Sequence, residues 1–191
     1  GMAKTHRLFL HFHDPQLSLE DMNVRSLQFQ MPDRPTLTAD VYRDANVIEN
    51  VWVDQPVAKV ERLLIDLADT RSRGYGMLHW GDGPDDDYTA QGRGRGDLVW
   101  TNNEYDLPHQ SLLMYARTGE RRFLDYLLVA AEHWMDVDVC HHSDDPLRHQ
   151  GQIIHSARHA TAPVTISHEW VEGLLDYYHQ TGDAFALQTA V

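Results

Sequence analysis

Acidic residues cluster at predicted helix ends in the second half of the chain. Two carboxylates facing each other can cleave a glycosidic bond, one acting as acid and the other as nucleophile or base. Acids in a first helical turn also stabilise the helix dipole, so a purely structural role stays open for each of them. The predicted catalytic acids are Glu104, Glu169, Asp136 and Asp138, and Asp106 and Glu172 are predicted to bind substrate.

More than half of the thirteen histidines fall between residues 133 and 179. Histidine titrates near neutral pH and can serve as a general acid or base, which makes His141 and His168 catalytic candidates. His155 and His159 are expected to bind substrate. Their spacing of four on a helical turn could also hold a metal, but the histidines lack a recognised ligand order. We therefore predict no bound metal, with zinc here or calcium at the acidic run 82–87 as alternatives.

Aromatic and cationic side chains complete the candidate site. Tryptophans at predicted helix ends can stack on sugar rings, although most tryptophans are core residues. Arg93 and Arg95, in a glycine-rich loop, are the best cationic candidates for a carboxylate ligand, and a solvated turn is the alternative. The predicted substrate-binding residues of this kind are Trp100, Asn103, Tyr105, Trp170, Arg93 and Arg95.

Length and composition limit the possible classes of protein. The 191 residues suffice for one sizeable core, and a formal net charge of −13 argues against nucleic-acid binding. No apolar run approaches the roughly 20 residues that cross a bilayer, so we expect no membrane contact. The single Cys140 excludes an internal disulfide. No signal-peptide pattern opens the chain, which leaves the cytoplasm as the default expectation.

Hydrophobic periodicity predicts a mainly helical fold. Helices are expected at Pro56–Arg71, up to Thr118, at Glu120–Asp136, at Val164–Gln180 and from Asp183 onward. Alternating residues predict short strands at 5–13 and 27–31, with a helix capped by Ser18 between them. Residues 81–97 and 137–163 are predicted to be long loops, which in compact proteins are commonly functional.

An internal repeat indicates stacked helical hairpins. Residues 112–120 match residues 175–183, and each segment ends a helix with a tyrosine three residues before Thr-Gly-acid. Tyr115 and Tyr178 are 63 positions apart (178 − 115), a period that fits one hairpin and one long loop. Short turns would then lie at one end of the assembly, and the long loops, which would carry the site, at the other.

These motifs resemble the central domain of exo-acting rhamnogalacturonan lyases and their bacterial relatives. The resemblance covers roughly residues 75–191. It rests on the segments 100–106 (WTNNEYD), 133–138 (HWMDVD) with His141, His155 and His159, 167–174 (SHEWVEGL), and Tyr178 with Thr181-Gly182-Asp183. It implies a partial (α/α)6 toroid over residues 54–191, preceded by a segment, 1–53, that is irregular or β-structured and left from a β-rich domain.

The resemblance also implies a function and partners. It implies β-elimination on, or binding of, a uronic-acid-containing oligosaccharide of the pectin type. The alternatives are a glycoside hydrolase with paired carboxylates and an inactive truncated fragment that binds sugar. A full toroid needs about twelve helices, more than this chain holds, so we expect a homo-oligomer that covers the open edge.

Overall fold

The computed structural model describes residues 3–34, 36–48, 51–53, 55–76, 79–101, 103–152, 164, 166 and 169–191. Within these ranges the fold is mainly helical, as the periodicity predicts. No helix in them is both long and apolar enough to cross a bilayer. The helices are α1 Leu19–Gln30, α2 Ala39–Ala45, α3 Ala58–Ser72, α4 Asp86–Ala90, α5 Leu107–Thr118, α6 Arg121–His133, α7 Glu172–Thr181 and α8 Ala184–Ala190.

The repeat predicted from the sequence forms two helical hairpins, α5–α6 and α7–α8. Gly119 ends α5 and Gly182 ends α7, both in the left-handed conformation with φ of 70° and 74°. Each glycine amide donates to the carbonyl of the repeat tyrosine, Tyr115 or Tyr178. The left-handed C-cap, which glycine adopts without a Cβ penalty, thus stops both helices at equivalent residues.

Helix α6 lies at the centre of the packing and separates two hydrophobic clusters. One face carries Phe123, Leu124 and Ala130 against α3 and α5. The other carries Leu127 and Ala131 toward α7 and α8. A helix that is apolar on both sides is buried between layers, and the site described below is anchored to it.

A π-helical turn, Trp134–Asp138, continues α6. It leads into strand β1, Val139–Cys140, which pairs antiparallel with β2, Gly151–Gln152. The predicted loop 137–163 therefore begins with this turn and a small sheet. The predicted loop 81–97 contains the short helix α4, with Asp85 as its N-cap. Helix α7 begins at Glu172, later than the predicted start at Val164, so Trp170 precedes the helix.

The N-terminal segment differs from the strand prediction. Residues 27–31 were expected to form a strand, and this is wrong, because α1 extends to Gln30. Ser18 caps α1 as predicted, accepting a hydrogen bond from the Asp21 amide. Residues 5–13 belong to no ladder, since the described residues form only the β1–β2 sheet. Arg7 holds this segment on the helical body through an ion pair with Glu132 and a 3.0 Å bond to the Tyr177 hydroxyl.

Candidate functional site

A strained turn, residues 103–106, begins the candidate site. Asn103, Tyr105 and Asp106 have positive φ angles of 55°, 59° and 51°. Residues other than glycine adopt this conformation at a cost of about 1–2 kcal/mol each, and such strain is concentrated at functional sites. The fully buried Asn103 offsets part of the strain, because its Nδ2 donates to the Ala130 carbonyl of α6 at 3.1 Å.

Asp106 joins the N-terminal ends of α5 and α7. Its carboxylate caps α5 by accepting from the His109 amide at 3.1 Å. The same carboxylate accepts from the Gly173 amide in the first turn of α7, at 3.1 and 3.0 Å. The two hairpins therefore begin side by side, at one rim of the fold, which we call the α5–α7 rim.

Two carboxyl groups at this rim, those of Asp106 and Glu172, shift each other's pKa. Burial raises the pKa of Asp106 to about 6, against the lowering effect of its two backbone donors. The pKa of the exposed Glu172 is lowered, chiefly by its own backbone amide and further by hydrogen bonds from Val171 and the Asp106 carboxyl. Asp106 is therefore the member of this pair that keeps its proton to the higher pH. The His109 ring lies alongside, 2.7 Å from Asp176.

Glu104 is the most strongly perturbed acid of the turn. Only 6% of the residue is exposed. Burial raises the pKa of Glu104 to about 7; the negative charge of Asp85 adds to the increase and the positive charge of Arg93 opposes it. The Arg93 guanidinium lies 3.8 Å from the centroid of the Tyr88 ring. A carboxyl group that titrates near pH 7 beside a cation is suited to general acid–base catalysis.

An aromatic pair begins at the next residue of the turn. Tyr105, which follows Glu104 directly, is 62% exposed, and its ring centroid is 5.4 Å from that of the half-buried Trp170. Aromatic rings of this kind present an apolar face together with a polar group. The structure thus brings together Glu104, Tyr105, Asp106, Glu172 and Trp170, all of which the sequence selected.

Other predicted site residues have contacts of their own. Asp136 accepts from the Thr5 amide and hydroxyl at 2.6 and 2.7 Å, so it fastens the N-terminal segment. His141 bonds through Nε2 to the Met135 carbonyl at 2.6 Å. The exposed Glu169 accepts from the Gln152 amide at 3.4 Å. None of these contacts joins the residue to the turn at 103–106.

The remaining candidates are placed as follows. Trp100 is buried, with its ring edge-on to His79 at 4.7 Å, as expected for a core tryptophan. Arg95 is exposed in the loop after α4. His155, His159 and His168 lie outside the described residues.

A buried triad, which the sequence did not suggest as a unit, lies on the inner side of the site. Asp82, His133 and Asp138 offer ligand atoms that all lie within 4.8 Å of one another. All three side chains are inaccessible to solvent. A group of this composition can hold a metal ion. The predicted alternatives were the His155–His159 pair for zinc and the acidic run 82–87 for calcium, and only Asp82 of these belongs to the triad.

Comparisons of this chain with protein-family models, with curated proteins and with solved structures find no match.

Proposed function

We propose that the α5–α7 rim binds a uronic-acid-containing oligosaccharide of the pectin type and cleaves it by β-elimination. The observation that carries this proposal is the Tyr105–Trp170 ring pair, which begins at the residue after the buried Glu104, together with Arg93, whose positive charge acts on the Glu104 carboxyl. Sugar rings stack on aromatic faces, and a uronate carboxylate needs a cation. The ring pair at the rim meets the first requirement, and Arg93, in the loop after α4, meets the second.

The reaction assigns one role to each residue. Arg93 binds the substrate carboxylate and so stabilises the negative charge that develops beside it. Glu104 takes the proton from the carbon next to that carboxylate; the electron pair forms the new carbon–carbon double bond and the bond to the leaving oxygen breaks. The Tyr105 hydroxyl donates a proton to that oxygen. Because the pKa of Glu104 is about 7, the base is poised near neutral pH.

The hairpins support a toroidal architecture for this rim. We infer that α5–α6 and α7–α8 are successive hairpins of an (α/α)6 toroid. Their support is the 63-residue repeat with matching glycine caps and the Asp106–Gly173 bridge between the two helix starts. Helix starts that gather at one rim would present the turn at 103–106 to a central cleft.

A glycoside hydrolase is the second candidate. Its support is Glu104, because burial raises the pKa of this carboxyl to about 7 and the negative charge of Asp85 adds to the increase. A carboxyl with a raised pKa near a second acid is an arrangement that glycosidases use. The two reactions differ in product, since elimination leaves a conjugated double bond that absorbs in the ultraviolet and hydrolysis does not.

The test is to incubate the full chain with rhamnogalacturonan and polygalacturonate oligosaccharides and to follow ultraviolet absorbance and reducing ends in parallel. We expect both signals to rise with the wild type, and Glu104→Gln to lower the rate by about 100-fold or more. Glu120→Gln is the matched control, because Glu120 is half-exposed at the other end of α5, about 18 Å away along twelve helical residues.

Each other outcome overturns a stated part of the proposal. Reducing ends without ultraviolet absorbance would establish hydrolysis instead. Calorimetric binding of the oligosaccharide without either signal would identify a sugar-binding module. Equal activity in Glu104→Gln and Glu120→Gln would remove Glu104 from the mechanism.

A further inference from the structure

We propose that Asp82, His133 and Asp138 bind a divalent transition-metal cation, Zn²⁺ or Mn²⁺, that fastens the segment 79–101 to the end of α6. The three side chains come from different parts of the chain and meet where no solvent reaches them. This inference is independent of the proposed reaction.

The backbone is shaped to form this cluster. Residues five apart in an α-helix point about 140° away from each other. The π-helical turn, closed by the Val139 amide donating to the Trp134 carbonyl, instead stacks residues five apart. It therefore brings Asp138 over His133, where an uninterrupted α-helix would have turned it away.

Gly81 brings the third ligand into place. A Cβ on this residue would lie 2.4 Å from the Val129 carbonyl oxygen and 2.9 Å from the His133 Cβ. Only glycine allows the chain to pass so close to α6, and its φ of 78° favours glycine as well. The next residue, Asp82, consequently reaches the His133 ring.

The separations fit metal ligands better than hydrogen bonds. His133 Nε2 lies 3.5 Å from Asp138 Oδ2 and 3.8 Å from Asp82 Oδ2. An imidazolium bonded to a carboxylate would be at about 2.7–2.9 Å. Ligand atoms at about 2.0–2.2 Å from one cation are separated by roughly 3.3–3.6 Å at a tetrahedral angle and by up to about 3.8 Å at 120°. The two observed distances fall inside that range.

The charges of the two carboxylates and the hydrogen bonds around them agree with a bound cation. Two carboxylates share this solvent-free space, and buried carboxylates are stable when they are paired or coordinate a metal. The buried Arg71 guanidinium acts electrostatically on Asp82 and donates to the Tyr126 hydroxyl at 3.1 Å. Thr101 donates to Asp82 Oδ1 at 2.5 Å, which leaves Oδ2 directed toward His133. Such outer contacts orient metal-binding carboxylates.

The ligand set indicates the class of cation. An imidazole nitrogen with carboxylate oxygens suits Zn²⁺ or Mn²⁺, whereas Ca²⁺ prefers six to eight oxygen ligands. Three protein ligands leave a coordination position for a water molecule. The role is structural, because the cation would cross-link the segment that carries Asp82 and Thr101 to α6.

The test is to remove metal from the full chain with a chelator and titrate it with Zn²⁺ or Mn²⁺, with Ca²⁺ as a comparison. We expect one tightly bound Zn²⁺ or Mn²⁺ and a higher melting temperature in its presence. Asp138→Asn should abolish tight binding, and Thr101→Val should weaken it by about 10- to 100-fold. His142→Gln is the control, because His142 is an exposed histidine of the same region.

X-ray absorption of the metal-loaded wild type keeps the test decisive if a variant fails to fold. One imidazole among oxygen ligands supports the proposal. Two or more imidazoles, or tight binding that His142→Gln removes and Asp138→Asn does not, would place the metal in the histidine-rich loop and overturn it. A wild type that takes up no Zn²⁺ or Mn²⁺ would overturn it as well.

Discussion

Replacing Gly173 by alanine tests whether α5 and α7 pack as closely as the structure shows. A Cβ at Gly173 would lie 2.3 Å from Asp106 Oδ1 and 2.6 Å from the Pro108 Cβ. Real Cβ atoms do not approach other atoms so closely, so the two helix starts would have to separate. That movement would also break the bonds from the Gly173 amide to the Asp106 carboxylate.

The expected magnitude is a balance of opposing terms. Alanine in place of a helical glycine stabilises by up to about 1 kcal/mol. Overpacking costs about 1–3 kcal/mol, and losing hydrogen bonds to a charged group costs about 1.5–3 kcal/mol. We therefore expect Gly173→Ala to lower the free energy of unfolding by about 2–4 kcal/mol, although helix propensity alone predicts an increase.

Urea denaturation followed by circular dichroism measures this change. Gly182→Ala, at the other end of α7, is the matched control. Apart from its two chain neighbours, no described residue has an atom within 4 Å of its new Cβ, and only its φ of 74° opposes the substitution, at a cost of about 1 kcal/mol. In the Asp106→Ala background the cost of Gly173→Ala should shrink, because the nearest clashing atom, Asp106 Oδ1, is gone. A more stable Gly173→Ala protein would refute the proposed packing.

Three further predictions concern pH, the N-terminal segment and assembly. Burial raises the pKa of Glu104 from 4.5 to about 7, so the unfolded state loses this proton first and the free energy of unfolding should fall as pH rises across that interval. The urea midpoints at about pH 5 and about pH 8 should therefore differ less for Glu104→Gln than for the wild type. An unchanged difference would contradict the raised pKa. Asp136→Ala should speed hydrogen exchange at the Thr5 amide, which bonds to that carboxylate; unchanged exchange would show that the segment is held elsewhere. Exposed apolar side chains such as Leu10 and Phe12 should make the sedimentation coefficient rise with concentration, whereas a monomer at every concentration would contradict the expected homo-oligomer.

The helical repeat was predictable because it depends on local chemistry. A Thr-Gly-acid turn ends a helix through the glycine and restarts one through the acid, wherever it occurs. Both copies end in a left-handed glycine, and the Glu120 and Asp183 amides each donate to the preceding threonine hydroxyl at 3.1 Å. The acid side chain caps the next helix at Asp183, whereas Glu120 makes no such bond. Helix α6 was equally predictable, because its apolar residues recur at the helical period.

The error at residues 27–31 shows where periodicity is ambiguous. Leu27, Phe29 and Met31 alternate with glutamines, which is the pattern of a half-buried strand over so short a window. The Ser18 cap with Glu20 and Asp21 in the first turn favours a helix, and that signal decides the outcome. No residue of α1 is fully buried. Tertiary packing therefore imposes little helical periodicity on its apolar residues.

The buried triad was not predictable, because its assembly depends on a departure from the α-helix. The sequence places His133 and Asp138 five apart, a spacing that α-helical geometry separates onto different faces. Only the π-helical turn stacks them. Asp82 looked like one acid of a solvated run, and nothing local distinguishes it from Asp86 or Asp87, which are exposed. The preceding Gly81 was the one available signal, and its meaning depends on the close approach to α6.

The buried triad and the α5–α7 rim are connected through one short stretch of chain. Thr101 bonds to Asp82, and its carbonyl accepts from the Glu104 amide at 3.1 Å. A cation that fixes Asp82 would therefore also fix the strained turn that carries Glu104, the proposed catalytic base. The two proposals stay separable, because Thr101→Val should weaken metal binding in a chain that still holds Glu104, whereas Glu104→Gln should abolish turnover with metal binding intact. If Glu104→Gln lost the metal as well, the cation would have to contact the rim directly, and the purely structural role assigned to it would be wrong.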